Sequence, residues 1–339
     1  MPGYKKSKFA VLGAGSWGTA LAVLLAKNGH AVTLWGRSPD AMEKISKAGC
    51  NELYLPNILF PQSLSISSDL QHTVTHAETI LVVVPSSAFR GVIESIKEYI
   101  PLNASLAWAT KGLEQGSNKL LHQVVAEVFG EEVFPSAIIS GPTFAKEVAK
   151  GLPTAVTVAS RSAEFAGRLA EWLHNETFRA YTSNDIVGVE LGGAVKNVLA
   201  IAAGIADGLG YGANTRAALV TRGLVEMMRL GVVLGGQRET FMGLAGLGDL
   251  VLTCTDNQSR NRRLGMALGC GQSMEQSLVE IGQVVEGVQT TREIYELAKS
   301  HGVEMPIVEQ VYRVLYERCT PSDAVHALLE REQKPERIA

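Results

Sequence analysis

The chain has 339 residues, long for a single hydrophobic core, so two domains are expected. Hydrophobic residues make up 46% and charged residues 19%, which excludes a disordered or low-complexity chain. A formal net charge of −3 provides no global attraction to nucleic acid, so any anion binding must come from local clusters.

At the N-terminus, Lys5, Lys6 and Lys8 precede an apolar run from Phe9 to Ala26 and imitate a secretory leader. Glycines interrupt that run and no small-residue cleavage site precedes Lys27. The segment reads instead as a strand, KFAVLG (8–13), and a helix over 17–28. Further strands are expected at 31–36, 80–85, 105–110, 137–141, 154–160 and 178–183, with another helix at 116–129. Several of these strands are apolar on both faces, as in a buried parallel sheet. The alternation predicts an α/β domain with a doubly wound sheet. After about residue 185 the strand signals stop, and helices are expected at 186–208, 214–235, 241–254, 260–269, 273–281, 288–301 and 306–318. The organisation predicted is a domain over 1–187, an all-helical domain over 188–330, and a loose charged tail over 331–339.

Cys50, Cys254, Cys270 and Cys319 show no C-x-x-C spacing, and the seven histidines form no metal-binding pattern. Reduced thiols and no structural metal are expected. No uninterrupted apolar run approaches the roughly 20 residues of a membrane span. The chain therefore reads as soluble and cytoplasmic.

Gly13-Ala14-Gly15-Ser16-Trp17-Gly18 lies between the first strand and the first helix. A lone G-x-G-x-x-G is weak, but this one has its required context, with the next strand beginning at residue 31. Gly13 makes the tight turn, Gly15 lets the backbone approach a pyrophosphate, and Gly18 lets helix pack on strand. The helix N-terminus offers free N–H groups to the phosphates. The motif makes the first domain Rossmann-type. Arg37 ends the second strand, about 20 residues on, where an NAD-dedicated site usually has Asp or Glu. A guanidinium there suits a 2′-phosphate, so NADPH is expected to be accepted or preferred. A solvated arginine at a strand end is the bland alternative. Lys111-Gly112 and Gly141-Pro142-Thr143-Phe144-Ala145 also follow strands, and Thr143 is placed to cap a helix together with Glu147.

Three features of the helical half are polar where packing does not ask for it. Lys196-Asn197 interrupts LGGAVKNVLAIAAG, Asp249 lies in glycine-rich GLAGLGDLVLTCT, and Ser259-Arg260-Asn261-Arg262-Arg263 opens a helix. A snorkelling lysine, an N-cap aspartate and a solvated basic turn are the structural alternatives. Arginines in a first turn oppose the helix dipole, which favours an anion there. With a nicotinamide cofactor, the set describes carbonyl reduction, in which charge builds on oxygen and a proton must follow. Lys196 supplies both charge and proton. Its ordinary pKa of roughly 10.4 is too high for proton exchange near neutrality, and apolar burial is expected to lower it. Arg260 and Asn261 are placed to hold a substrate phosphate.

GAGSWGTALA, ATKGLE, SGPTFAKE, GGAVKNVLAIAAGIADGLG, GLGDLVLTC, SRNRR and VVEG, in this order, resemble the bacterial-type NAD(P)-dependent glycerol-3-phosphate dehydrogenases. The resemblance implies that Lys196 is the general acid/base. It implies that Lys111, Gly141, Thr143, Lys196, Asp249, Thr253, Ser259, Arg260 and Asn261 hold substrate. Ser16, Trp17, Arg37, Lys111, Ala145, Arg260, Val284 and Glu286 are implied to hold cofactor, with the glycines Gly13, Gly15 and Gly18. A phosphorylated small-molecule substrate, a homodimer, a cytoplasmic location and a role in phospholipid synthesis are further implications. The rivals are a 3-hydroxyacid-type dehydrogenase with a catalytic lysine and a non-catalytic dinucleotide sensor.

Overall fold

A computed structural model describes residues 6–131 and 133–332. The predicted tail lies outside the described residues except for Arg331 and Glu332, as does Lys5. The chain divides into two compact units. The first runs to Lys111 and resumes over Leu121–Ile186; the second takes Gly112–Leu120 and the chain from Val187.

Among the described residues of the first unit lie ten strands: β1 (Lys8–Leu12), β2 (Ala31–Trp35), β3 (Cys50–Asn51), β4 (Leu55–Leu59), β5 (Leu64–Ser67), β6 (Thr79–Val82), β7 (Ser105–Trp108), β8 (Ser136–Ser140), β9 (Thr154–Ala159) and β10 (Phe178–Ser183). Seven helices accompany them: α1 (Ser16–Lys27), α2 (Pro39–Ala48), α3 (Leu70–Thr75), α4 (Ser86–Ile96), α5 (Leu121–Phe129), α6 (Ala145–Lys150) and α7 (Ala163–Leu173). Eight strands form one sheet in the order β10-β9-β8-β7-β6-β1-β2-β5. Neighbours run parallel except β8 and β9. The chain leaves β1 towards β2 on one side and returns to β6 on the other. The switch point therefore falls at the C-terminal ends of β1 and β6, where such sheets bind ligands.

All residues of β6 and β7 are buried, as the unbroken apolar runs predict. The β3–β4 hairpin and β5 escape sequence reading for a physical reason. Pro56 interrupts β4, Asn57 has φ +65°, and β5 is an edge strand whose LSIS buries only Leu64. The helix expected over 116–129 begins only at Leu121. Residues 112–120 are irregular, with left-handed Gly116 (φ 85°) and Asn118 (φ 57°), and Leu113 and Leu120 join the second unit's core.

The second unit is helical: α8 (Ile186–Gly208), α9 (Ala213–Val233), α10 (Arg238–Met242), a π turn (Leu244–Gly248), α11 (Asp249–Thr255), α12 (Arg260–Gly269), α13 (Met274–Ile281), α14 (Glu286–Ser300), α15 (Pro306–Tyr316) and α16 (Pro321–Leu329). The single helix expected at 241–254 is broken in two around the π turn. A Cβ at Gly246 would lie 2.1 Å from the Phe241 carbonyl oxygen, so the glycine-rich joint folds back on α10. The last helix, α16, announces itself only by Thr320 as N-cap and Pro321 at the first position.

Helix α8 is long and apolar enough to cross a membrane by composition, but 94% of that stretch is buried inside the protein. A helix apolar all round is what a central core helix requires. Gly192, Gly204 and Gly208 pack against other segments of its own unit. A Cβ at Gly192 would sit 2.4 Å from the Ala245 carbonyl oxygen in the π turn; at Gly204 it would sit 2.1 Å from that of Arg262 in α12. The approach is reciprocal, since a Cβ at Gly265 would meet the Ile201 carbonyl oxygen at 2.1 Å. Helices α8 and α12 thus touch backbone to backbone.

Candidate active site

In the first unit the motif glycines are demanded by contact. Gly13 has φ +124°, and a Cβ there would lie 2.3 Å from the Val83 carbonyl oxygen. A Cβ on Gly18 would lie 1.9 Å from the Gly13 carbonyl oxygen, so only glycine lets α1 sit this close to the turn. Gly15 differs: it is the N-cap of α1, with open space where a Cβ would go and no side-chain cap on the first-turn N–H groups. Uncapped amides beside cleared space at the switch point are what a dinucleotide pyrophosphate requires. The residues present fit NAD(P).

Ser16 opens α1 and donates to the Tyr54 carbonyl oxygen at 2.8 Å. Trp17 follows it with its Nε1 buried and unpartnered. Arg37 is exposed just beyond β2 and makes no ion pair among the described residues. Beyond β7 and β8, Lys111 Nζ donates to the Gly141 carbonyl oxygen at 3.2 Å, and Thr143 Oγ1 donates to the same oxygen at 3.2 Å. Three predicted substrate residues therefore gather on one carbonyl. Thr143 does not cap the following helix, as the sequence suggested: the cap position belongs to Phe144, without a side-chain bond. Ala145 is the first residue of that helix, α6.

In the second unit Lys196 is 7% exposed on α8 and does not snorkel. Its Nζ donates to Asp249 Oδ1 at 2.5 Å and to Thr253 Oγ1 at 2.9 Å. Thr253 donates in turn to the Asp249 backbone oxygen at 2.6 Å. Asp249 is not an N-cap: it is fully buried at the start of α11, immediately after the π turn. One turn of α11 separates Asp249 from Thr253, so both side chains reach the same amine. Beside them the Cys254 thiol is pushed up to about 12 by burial, which keeps it protonated and inert.

The first turn of α12 divides its roles. Ser259 is the N-cap, accepting from the Arg262 amide at 3.2 Å. Arg260 reaches Gln283 Oε1 at 3.4 Å, and Asn261 is buried between two partners. Its Nδ2 donates to Asn197 Oδ1 at 2.9 Å, and its Oδ1 accepts from the Gly287 amide at 2.9 Å. The expected basic anion cluster is corrected here. Arg262 is buried and bonded to Asp207 and to the Cys254 carbonyl, while Arg263 is exposed. Burial and the bond to Asp207 withdraw Arg262 from the cluster, leaving Arg260 and Arg263 among its arginines.

The V-V-E-G stretch gains a meaning that spacing alone could not give it. Gln283, just before it, accepts from Arg260, and Gly287, its last residue, donates its amide to Asn261; Val284 is exposed, and Glu286 opens α14. Asn197 is the residue sequence reasoning undervalued. It is 4% exposed, and its Nδ2 has no hydrogen-bond partner. A buried amide donor left unpaired beside Lys196 is a costly arrangement unless a ligand oxygen completes it.

A Rossmann unit with an open phosphate turn and a helical unit with a buried, carboxylate-held lysine define a nicotinamide-dependent oxidoreductase. Comparison with known proteins narrows the class. Residues 8–166 match the NAD-dependent glycerol-3-phosphate dehydrogenase N-terminus and residues 185–326 its C-terminus. Glycerol-3-phosphate dehydrogenase [NAD(P)+] of Thioalkalivibrio sulfidiphilus is 59% identical over 327 residues, covering 96% of this chain and 98% of that one. The protein of the same name from Pseudoalteromonas translucida is 56% identical over 331 residues, covering 97% and 98%. The crystal structure of glycerol-3-phosphate dehydrogenase from Coxiella burnetii superposes with a TM-score of 0.93 at 52% identity, covering 96% and 99%. A D-mandelate dehydrogenase shares the fold alone, at 14% identity and a TM-score of 0.64. The chain belongs to the NAD-dependent glycerol-3-phosphate dehydrogenase family.

Proposed function

We propose that this protein interconverts dihydroxyacetone phosphate and sn-glycerol 3-phosphate with NAD(P)(H), using Lys196 as the general acid/base. Bound NAD(P)H supplies the hydride for the carbonyl carbon. The observation that carries the assignment is the buried Lys196–Asp249–Thr253 triangle. A buried ammonium stabilises the developing alkoxide and gives it a proton. Asp249 and Thr253 hold the Nζ at one place, and the unpaired Asn197 Nδ2 offers a further donor to a substrate oxygen. Arg260 takes the phosphate. Thr253, Ser259 and Asn261 belong to the same substrate set, and their internal bonds orient Lys196, α12 and Asn197. In the oxidative direction the neutral amine accepts the hydroxyl proton.

In the first unit, Gly13, Gly15, Ser16, Trp17, Gly18, Arg37, Lys111 and Ala145 hold the dinucleotide, and Lys111, Gly141 and Thr143 serve the substrate. Val284 and Glu286 complete the cofactor set. Incubation with NADPH and dihydroxyacetone phosphate tests the reading through the nicotinamide absorbance. Steady cofactor oxidation is expected, and 3-hydroxybutyrate with NADP+ is expected to give none. Turnover of the hydroxyacid alone would replace the assignment, and turnover of neither would favour the sensor. The same reading includes a homodimer acting in the cytoplasm to feed phospholipid synthesis; a monomeric mass by analytical ultracentrifugation would remove the dimer from it.

A further inference from the structure

Asp207 sits in the last turn of α8, where the helix dipole disfavours a carboxylate, and its side chain is only 9% exposed. Two guanidiniums offset this. Arg216 of α9 places Nη1 3.0 Å from both carboxylate oxygens, and Arg262 of α12 bonds Oδ2 through Nη2. Arg262 reaches further. Its Nε donates to the Cys254 carbonyl oxygen at 3.1 Å, and its Nη1 lies 3.1 Å from Met266 Sδ.

One buried guanidinium thus ties the end of α8, the last turn of α11 and the first turn of α12. The ties at Cys254 and in α12 lie next to residues of the site, and the tie at Asp207 fixes the far end of the helix that carries two more. Cys254 follows Thr253, Arg262 follows Arg260 and Asn261, and α8 carries Lys196 and Asn197. The glycine contact at Gly204 presses the α8 backbone against the Arg262 carbonyl, so the first turn of α12 has little room to shift along α8. The bonds of Asp207 and Arg262 are all to protein groups.

We propose that Asp207 is a positioning residue for phosphate recognition: through Arg262 it sets the first turn of α12 so that Arg260 meets the substrate phosphate. This rests on the assignment of Arg260 to that phosphate. Replacing Asp207 by Asn keeps the shape and removes the charge that two arginines share. Arg262 is then left buried and underpaired, and α12 loses its fixed register on α8.

The measurement is kcat/KM for dihydroxyacetone phosphate relative to unphosphorylated dihydroxyacetone, which has the same carbonyl. Asp207→Asn should lower this ratio on the order of tenfold, about the contribution of one charge-assisted hydrogen bond. The loss should fall in KM for the phosphorylated substrate, with kcat changed less. Asp207→Glu, which keeps the charge, should recover part of it. Should Asp207→Asn fail to fold, Arg262→Lys is the second variant: it keeps the ion pair, drops the bond to Cys254, and should lower the same ratio. An unchanged ratio in the folded variants, with only thermal stability reduced, overturns the proposal. Arg260→Ala separates the two levels. If it leaves the ratio intact, the phosphate assignment itself fails. If it collapses the ratio while Asp207→Asn and Arg262→Lys do not, only the positioning role is lost.

Discussion

The two units build their halves of the chemistry from different materials. The first uses backbone: a turn in which Gly13 and Gly18 touch at van der Waals limits, and a helix start at Gly15 left open. Its polar side chains at the site lie at or near the surface. The second uses side chains: Lys196, Asp249, Thr253, Asn197 and Asn261 are all buried, and nearly every polar atom has a named partner. A backbone site fails when an atom is added, whereas a side-chain site fails when one is removed.

Lys196→Ala is the removal with the largest expected effect. Turnover should fall roughly 10²–10⁴-fold, the usual scale of general acid–base catalysis. NADPH titration followed by fluorescence should show cofactor binding intact. Near-normal turnover would mean that Lys196 only fills the core, and the contrast between the units would lose its chemical meaning.

The units should also respond to pH with opposite signs. In the second, burial raises the Glu226 carboxyl to about 7, although it accepts the Ile307 and Val308 amides. Its folded value exceeds its unfolded one, so its contribution is complete below about 4.5 and is lost as pH rises through about 7. At about 1.4 kcal/mol per unit, the whole span is worth about 3.5 kcal/mol at most. In the first unit, burial lowers His30, so its contribution is present above the ordinary histidine range and fades as pH falls. Melting temperatures of Glu226→Gln and the parent, taken between pH 5 and 8, check the larger effect. The difference, variant minus parent, should grow with pH; a constant difference would show that Glu226 does not titrate in this range.

Gly18→Ala is the matching addition. The new methyl would meet the Gly13 carbonyl oxygen at 1.9 Å, so the turn must shift. A loss of about 1–3 kcal/mol in chemical denaturation is expected, the range for overpacking a tight contact. Cofactor affinity should fall with it, while the Lys196 constellation is untouched. An unaltered affinity would mean that the turn geometry is not what the dinucleotide reads.

What could be read before folding follows the same division. The parallel strands and the glycine turn are contiguous, so local pattern announces both. The Lys196 triangle is not contiguous: residues 196, 249 and 253 meet only because α8 and the π turn pack at Gly192. Composition betrays such a site only as polar residues in apolar company. Arg262 shows the limit of that signal. Its neighbours in sequence suggested an anion site, but its partner, Asp207, lies 55 residues away. Thr143 and the break at Gly243–Gly248 were misread because capping and helix continuity depend on what the backbone touches.

Arg37 offers the finest probe of the comparison, because it is an exposed side chain in the unit that otherwise binds through backbone. It lies two residues beyond the end of β2, the place where these sheets meet the adenosine ribose. With no ion pair among the described residues, its guanidinium is available to a 2′-phosphate and has nothing to offer a 2′-hydroxyl that another donor could not supply. Arg37→Ser should therefore raise KM for NADPH on the order of tenfold, the loss of one charge-assisted contact at an exposed position, and leave KM for NADH nearly unchanged. The selectivity, not the size, carries the argument. The same glycine turn serves both cofactors, so a change in the turn must affect both, and only a side chain at the ribose can separate them. Equal loss for NADPH and NADH would place Arg37 in the shared machinery. No loss for either would leave the unit with a backbone site alone.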